Sequence, residues 1–351
     1  LKRKGYLYDK IYLYPNMCDA YHKAARGKHH KKEVINFRND LQKNIKKIQT
    51  DLINQNPDIG NYYYFVVRDP KIRLICAASF PERVLHHAIM NVCGPIMDAC
   101  AIYDSYACRT GKGTHKAVQR AQLFANKYQW FLKLDIRKYF DSIDHNILLH
   151  LIDKKIKDQR TVLLFQQLLD TYHTETDRGL PIGNLTSQHL ANFYLCEFDH
   201  WIKEQRRVKA YIRYMDDFIL FRKTSSELKS DLIELTQYLE NKRHLKLKSS
   251  IQLNRTSKGI PFLGYRVFPQ KIMLSPMSKK RLIHKFKAYE NKCVKGEWSI
   301  NELAQHVIPL FDFANKANTK GLRGKIINRF GAPSYRLESR DSRRQLEQQR
   351  Q

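Results

Sequence analysis

The 351-residue sequence predicts an α+β fold with more than one subdomain, and three observations carry that prediction. Two stretches, 62–75 and 211–221, read as antiparallel hairpins. Apolar residues at helical spacing surround both. The length exceeds the roughly 100–200 residues of one typical domain, and a hydrophobic content of 42% supplies material for more than one core. A membrane protein is not expected. The most apolar window, Met90 to Tyr103, is broken by Asn91, Gly94, Pro95 and Asp98, whereas a span needs ~20 apolar residues. No apolar stretch follows the opening Leu-Lys-Arg-Lys, so no secretory signal is expected either.

The elements follow in order. Residues 1–60 read as basic and helical. Ala20 to Lys32 carries Arg26, Lys28, His29, His30, Lys31 and Lys32 around Gly27. Helical spacing continues at Val34, Phe37, Leu41, Ile45, Ile48 and Leu52. The basic cluster is either a solvated face or a contact to phosphates. Tyr62 to Val67 pairs through the turn Arg68-Asp69-Pro70-Lys71 with a returning limb from Ile72 to Ile75. Helical patterns cover Pro81–Met97. The adjacent His86 and His87 diverge by ~100° on such a helix, so they are expected to pack rather than chelate.

A strand follows over Phe131–Ile136, then helices over Ser142–Ile156 and Leu185–Glu197, the latter opened by the turn 179–184. Tyr211–Tyr214 and Phe218–Phe221 form the second hairpin, with Met215-Asp216-Asp217 at its tip. Leu228–Asn241 reads as a helix and Phe262–Phe268 as a short strand region. Ser278 is placed to cap a helix with apolar residues at Leu282, Phe286, Tyr289 and Cys293. A further helix is expected over Ile300–Asn315, and the Arg/Gln-rich tail from Ser339 is expected to fray.

Charge narrows the function. With 63 Lys+Arg against 34 Asp+Glu the net charge is +29, and a polyanion, nucleic acid first and an anionic membrane second, is the simplest partner. A generally basic soluble protein is the bland alternative. Seven cysteines without a Cys-x-x-Cys pair support neither a disulfide framework nor a structural zinc site. Reduced, mostly buried thiols in a cytoplasmic protein fit best. The sequons at Asn184 and Asn254 read as chance matches.

The chemistry centres on three carboxylates in two strand contexts. Asp135 ends an otherwise apolar strand, and Asp216 and Asp217 sit on a hairpin whose arms read as buried. An Asp pair in a turn is ordinarily just turn chemistry, but these flanks make the tip project from a packed sheet. Like charges held together repel, and divalent cations relieve the repulsion. Two Mg²⁺ ions ~3.5–4 Å apart stabilise an attacking and a leaving oxygen, as nucleotidyl transfer requires. Hard carboxylate oxygens suit that ion.

These residues carry a family resemblance. Tyr214-Met215-Asp216-Asp217 resembles the signature turn of reverse transcriptases. Leu134-Asp135 with Tyr139-Phe140-Asp141-Ser142-Ile143 resembles the motif of their first catalytic Asp. Phe262-Leu263-Gly264-Tyr265 resembles the primer grip of bacterial members, and Lys71 with Arg73 resembles the fingers hairpin. Most members have Gln-Gly and then Ser-Pro between the two Asp motifs. This chain has Ile182-Gly183 and Ser187-Gln188, a pattern similar to reverse transcriptases of diversity-generating retroelements. Asp69-Pro70-Lys71, Arg83-Val84-Leu85-His86-His87-Ala88, Ser105-Tyr106-Ala107-Cys108-Arg109 and Gly111-Lys112-Gly113-Thr114-His115 point the same way.

The resemblance implies a right-hand polymerase: a basic helical extension (1–60), fingers (61–130), a palm on an antiparallel sheet (131–268, with fingers elements around 150–185), a short helical thumb (269–338) and a tail. It implies catalysis by Asp135, Asp216 and Asp217, and two Mg²⁺ ions held by these with Ile136. Nucleotide contacts fall on Lys71, Arg73, Phe140, Ile182, Gly183, Gln188 and Lys248, and the primer grip on 262–265. Phe140 takes the place of the steric gate against a ribose 2′-hydroxyl, with an ordinary core Phe as the alternative. Ile182 cannot make the hydrogen bond of a Gln, worth about 0.5–1.5 kcal/mol, or it simply packs on the helix start. Lys71 and Arg73 are triphosphate ligands or solvated hairpin charges. Lys246 and Lys248 remain alternatives beside the leaving pyrophosphate.

Implied partners are a template RNA, an RNA–DNA hybrid held by its phosphates, dNTPs and the accessory variability determinant protein, in a bacterial or phage-infected cytoplasm without a membrane. The implied function is error-prone copying of a template-repeat RNA, with errors at adenines. A group II intron or retron enzyme, with only residues 269–351 left for further domains, is the rival. A catalytically silent RNA-binding or defence protein on the same fold is the other.

Overall fold

The computed structural model of the chain describes residues 2–68 and 72–331. Lys71 and the tail from Ser339 therefore lie outside the described residues. The chain opens with helices α1 (Tyr8–Tyr12), α2 (Tyr14–Ala25), α3 (Lys32–Asn39) and α4 (Leu41–Ile53), then the strands β1 (Tyr62–Val67) and β2 (Arg73–Ala78). Helices α5 (Phe80–Ala99) and α6 (Thr114–Lys127) precede β3 (Trp130–Asp135), and α7 (His145–Asp153), α8 (Gln159–Asp170), α9 (Leu185–Tyr194) and α10 (Cys196–His200) follow it. Strands β4 (Ala210–Tyr214) and β5 (Asp217–Arg222) lead to α11 (Ser225–Arg243), β6 (Gln252–Arg255), β7 (Ile260–Phe262), β8 (Tyr265–Val267) and β9 (Ile272–Leu274). Helices α12 (Pro276–Val294), α13 (Ile300–Asn315) and α14 (Lys320–Phe330) close the described chain.

The contacts divide the chain into two compact units. The first comprises 1–113, 132–220 and 226–252, and the second 114–131, 221–225 and 253 onward. In the first unit β1 and β2 form an antiparallel ribbon, with Tyr62 opposite Ala78 and Val67 opposite Arg73. In its main sheet β4, β5 and β3 lie side by side in that order. The β4–β5 hairpin is buried on both faces, and Tyr211, Ile212, Phe218, Ile219 and Leu220 are all fully inaccessible. Continuous burial of this kind explains why the hairpin arms read as apolar runs without alternation. The N-terminal helices build a second core, where Tyr21 stacks on Phe37 at 5.9 Å and Phe37 meets Phe80 edge-on at 5.1 Å.

In the second unit, β7, β8 and β9 form an antiparallel sheet, and α12, α13 and α14 share a cluster of Leu282, Phe286, Ala314 and Ile326. A capping box at Ser299 and Glu302 starts α13, which satisfies two otherwise unpaired amides.

Several boundaries differ from the sequence reading, each for a local reason. The helix expected from Ser142 begins at His145, because Ile143 is extended and Asp144 caps, its carboxylate accepting from the Ile147 N–H at 3.1 Å. Residues 140–142 form a short 3₁₀ turn. Ser275, not Ser278, caps α12: Pro276 presets the first turn and the Ser275 hydroxyl accepts from the Ser278 N–H. The 26–31 cluster is not helical, since α2 ends at Ala25 and Gly27 turns the chain at φ +71°. The returning limb of the first hairpin runs to Ala78. The helix expected to Glu197 breaks at Leu195 and resumes as α10, with a π-helical turn over Trp201–Gln205. Phe262–Phe268 is two strands, not one, because Leu263 and Gly264 both have positive φ. Among the described residues no helix is long and apolar enough to cross a membrane.

Candidate active site

The three carboxylates meet within the first unit because β3 ends where two other segments pair with it. The Ile136 N–H donates to the Asp216 carbonyl at 3.3 Å, which ties the strand end to the β4–β5 turn. On the other side Ile136 bridges Leu247, the Arg137 N–H donates to the Lys246 carbonyl, and the Lys248 N–H donates to the Asp135 carbonyl, the last two at 2.8 Å. Asp135 thus lies between the turn and the 246–248 segment. Its Oδ1 is 2.5 Å from Lys248 Nζ, and Asp217 Oδ1 is 2.8 Å from Lys133 Nζ. Of the two late lysines, Lys248 is the one whose ammonium faces the carboxylates; Lys246 is exposed and contributes its main chain.

Burial and mutual repulsion shift the acids. Burial pushes the Asp217 carboxyl up to about 6; Lys133 opposes the shift, and Asp135 and Asp216 add to it. Asp216 is also raised, by burial and then by Asp135, with Lys248 and Arg73 opposing. Buried like charges are costly to ionise together, so the site holds negative charge that cations must balance. Lys133 was missed by the sequence reading. The two-residue period of a strand puts it on the face of Asp135, and that signal was available.

Among the described residues, no three His, Cys, Asp or Glu side chains form a ready-made metal cluster. The donors nevertheless fit a hard divalent cation. Asp135 Oδ1 and Asp217 Oδ1 are buried, and each is held by a lysine ammonium, Lys248 on the first and Lys133 on the second. Mg²⁺ characteristically takes one or two carboxylates and completes its shell with water and substrate phosphates.

The remaining expected nucleotide contacts among the described residues fall into three groups. Arg73 opens β2 and is close enough to Asp216 to act on its ionisation. Phe140, Ile182 and Gly183 are linked through the main chain. The Phe140 carbonyl accepts from the Leu180 N–H at 2.9 Å, and the Ile182 carbonyl accepts from the Cys76 N–H of β2 at 2.8 Å. Phe140 and Ile182 are half-buried. Gly183 has φ +129°, and a Cβ there would lie 2.7 Å from Ile75 Cγ2, so its close approach is to β2. Gln188 is exposed on α9, with its Oε1 3.5 Å from the Cys108 thiol, and makes no described contact with the carboxylates.

The 262–265 motif belongs to the second unit. Phe262 and Tyr265 are core residues, and the Tyr265 hydroxyl donates to the Phe313 carbonyl at 2.8 Å. The Ser275 N–H donates to the Gly264 carbonyl at 3.0 Å, so the turn is fastened to the start of α12.

Residues 67–267 match the family described as reverse transcriptase (RNA-dependent DNA polymerase). Over half of the chain lies in that match, and the chain belongs to this family. It is 22% identical over 252 residues to protein YkfC of Escherichia coli, covering 59% of this chain and 66% of that protein. It is 26% identical over 212 residues to the group II intron-encoded protein LtrA of Lactococcus lactis, covering 56% of this chain and 35% of LtrA. The chain thus spans less than two thirds of either relative. Apo telomerase from Candida tropicalis superposes with a TM-score of 0.50 at 10% identity, covering 83% of this chain and 65% of that one. The fold is accordingly the α+β right-hand polymerase.

Proposed function

We propose that this chain is an RNA-directed DNA polymerase acting through Asp135, Asp216 and Asp217. The pairing of Ile136 with Asp216 carries the reading, since it joins the two acidic motifs at one place. In the reaction the primer 3′-oxygen bonds to the α-phosphorus of an incoming dNTP, the bond to pyrophosphate breaks, and the hydroxyl proton is lost to solvent. Two Mg²⁺ ions held by the three aspartates and the Ile136 main chain would supply the Lewis acidity for both oxygens. Arg73 gives a paired donor for triphosphate oxygens and Lys248 a point charge. Lys71 serves the same hairpin in this reading, and Phe140 lies under the sugar and excludes a 2′-hydroxyl. The 262–265 turn grips the primer, and the cations Lys279, Lys280 and Lys287 on α12 hold the hybrid by its phosphates. Primer extension on an RNA template tests the reading: the unaltered chain extends, and Asp216→Ala does not. Equal extension by both would overturn it. Phe140→Ala should raise ribonucleotide incorporation about 10-fold or more, and unchanged sugar selectivity would return Phe140 to the core.

We place the enzyme in a diversity-generating retroelement, with its template-repeat RNA and accessory variability determinant protein as partners. Ile182 and Gln188, where most members have Gln and Pro, support this. The identity to LtrA favours the second reading, a group II intron-type enzyme. Sequencing cDNA made from a defined RNA separates them. Errors concentrated opposite adenines, reduced by Ile182→Gln, support the first; errors spread evenly over the four bases leave the second.

A further inference from the structure

Among the described residues Arg213 is the largest fully buried side chain; it lies inside β4, three residues before Asp216. A guanidinium is never neutralised in a protein interior and needs its donors matched. Every partner here is fixed. Nε donates to Asp199 Oδ1 at 2.8 Å and Nη2 to Asp199 Oδ2 at 2.6 Å, a bidentate pair from α10. Nη2 also reaches the Asn192 carbonyl at 3.1 Å. The remaining nitrogen, Nη1, donates to Asn192 Oδ1 at 2.9 Å and to the Met215 carbonyl at 3.1 Å.

That last contact is in the turn itself. Met215 has φ +58°, a conformation a non-glycine residue holds only when its surroundings enforce it. The enforcing atoms are at hand. Tyr211 donates its hydroxyl to Asp199 Oδ1 at 2.7 Å, so the Asp199 carboxylate is saturated and immobile. Asn192 donates to the Ala107 carbonyl at 3.1 Å, and the Arg213 main chain is bonded on its free edge to Asp104 and Tyr106. Helices α9 and α10 thus converge on one guanidinium, the 104–107 segment braces Asn192 and the Arg213 main chain, and the guanidinium grips the peptide between the hairpin arm and the acids.

We infer that Arg213, clamped by Asp199 and Asn192, is a positioning residue that holds the Met215 peptide and so aims Asp216 and Asp217. The inference rests on the polymerase reading above. A purely structural ion pair would need only Asp199; the hydrogen bond to Met215 is what a positioning role adds. A lysine has one nitrogen and cannot span Asp199, Asn192 and Met215 together. Conversely, replacing both members of a buried ion pair by apolar residues preserves stability in favourable cases.

Two variants and two measurements test it, primer extension on RNA at 25 °C and a thermal unfolding curve in parallel. Arg213→Lys keeps a charge opposite Asp199. The double variant Arg213→Met with Asp199→Leu removes the pair altogether. For each folded variant, kcat should fall about 10- to 100-fold, the effect of an ångström-scale misplacement. KM for dNTP should stay within about twofold, because Arg213 touches no substrate. Folded variants retaining the full kcat would overturn the inference, as would a rise in KM alone. Failure of both to fold would also overturn it, by placing the whole effect in stability. An inactive unaltered chain would sink the polymerase reading itself; an active one with fully active variants sinks this inference alone.

Discussion

Two turns, one in each unit, solve the same backbone problem with different materials. Between β4 and β5, Met215 sits at φ +58°; between β7 and β8, Leu263 and Gly264 sit at +49° and +87°. The first is held by polar groups, with Arg213 and Ile136 donating to the carbonyls of Met215 and Asp216. The second is held by packing and a single amide, with Phe313 3.1 Å from where a Gly264 Cβ would stand and Ser275 donating to the Gly264 carbonyl. The difference follows from cargo. A turn carrying buried carboxylates cannot rest on apolar neighbours, which would raise the cost of its charge. A turn flanked by Phe262 and Tyr265 can.

The sharpest break in that comparison is Asp217→Asn. Polymerisation should drop by about 10³-fold or more, as loss of a transition-state charge partner worth several kcal/mol implies. Stability should hold or rise, because a buried carboxyl already pushed up to about 6 no longer has to ionise. Primer extension and a melting curve check both halves, and a marked loss of stability would count against the electrostatic account.

Lys133→Met is the next effect in size. Lys133 opposes the rise in the Asp217 pKa, so without it the carboxyl titrates above about 6. The reaction needs the ionised form, which disappears as pH falls. The acid limb of the pH–rate profile should therefore move to higher pH by about one unit. An unmoved limb would remove Lys133 from the site.

The smallest effect belongs to the packed turn. Gly264→Ala places a Cβ 3.0 Å from Ser278 Oγ at φ +87° and should cost about 1–2 kcal/mol. Denaturant unfolding reads that loss. A change in dNTP selectivity instead would mean that this turn shares in the chemistry.

Much of the site was legible before any coordinates. Asp135 stood out because it closes an otherwise apolar strand over Phe131, Leu132 and Leu134. Asp216 and Asp217 stood out for their apolar arms. Lys133 was equally visible through strand period and went unread. Arg213 was not legible at all. A charged residue in a strand ordinarily marks the solvent face, and nothing near it in the sequence announces that Asp199, fourteen residues earlier, saturates it. The cap of α12 was misread because Ser275 and Ser278 both satisfy the residue preference, and only the extended backbone at Ser275 decides between them.

Residue order alone thus sufficed for the two hairpins at 62–78 and 210–222, for many of the helices, for the acidic motifs and for the family, because those depend on periodicity and turn chemistry within a few neighbours; the helices over 114–127, 159–170 and 320–330 were not read. The company kept by each acid did not: the lysine on Asp217, the lysine on Asp135 and the guanidinium behind Met215 arise where strands distant in the chain are hydrogen-bonded side by side. Periodicity says which face a side chain takes, and only the closed sheet says what stands opposite.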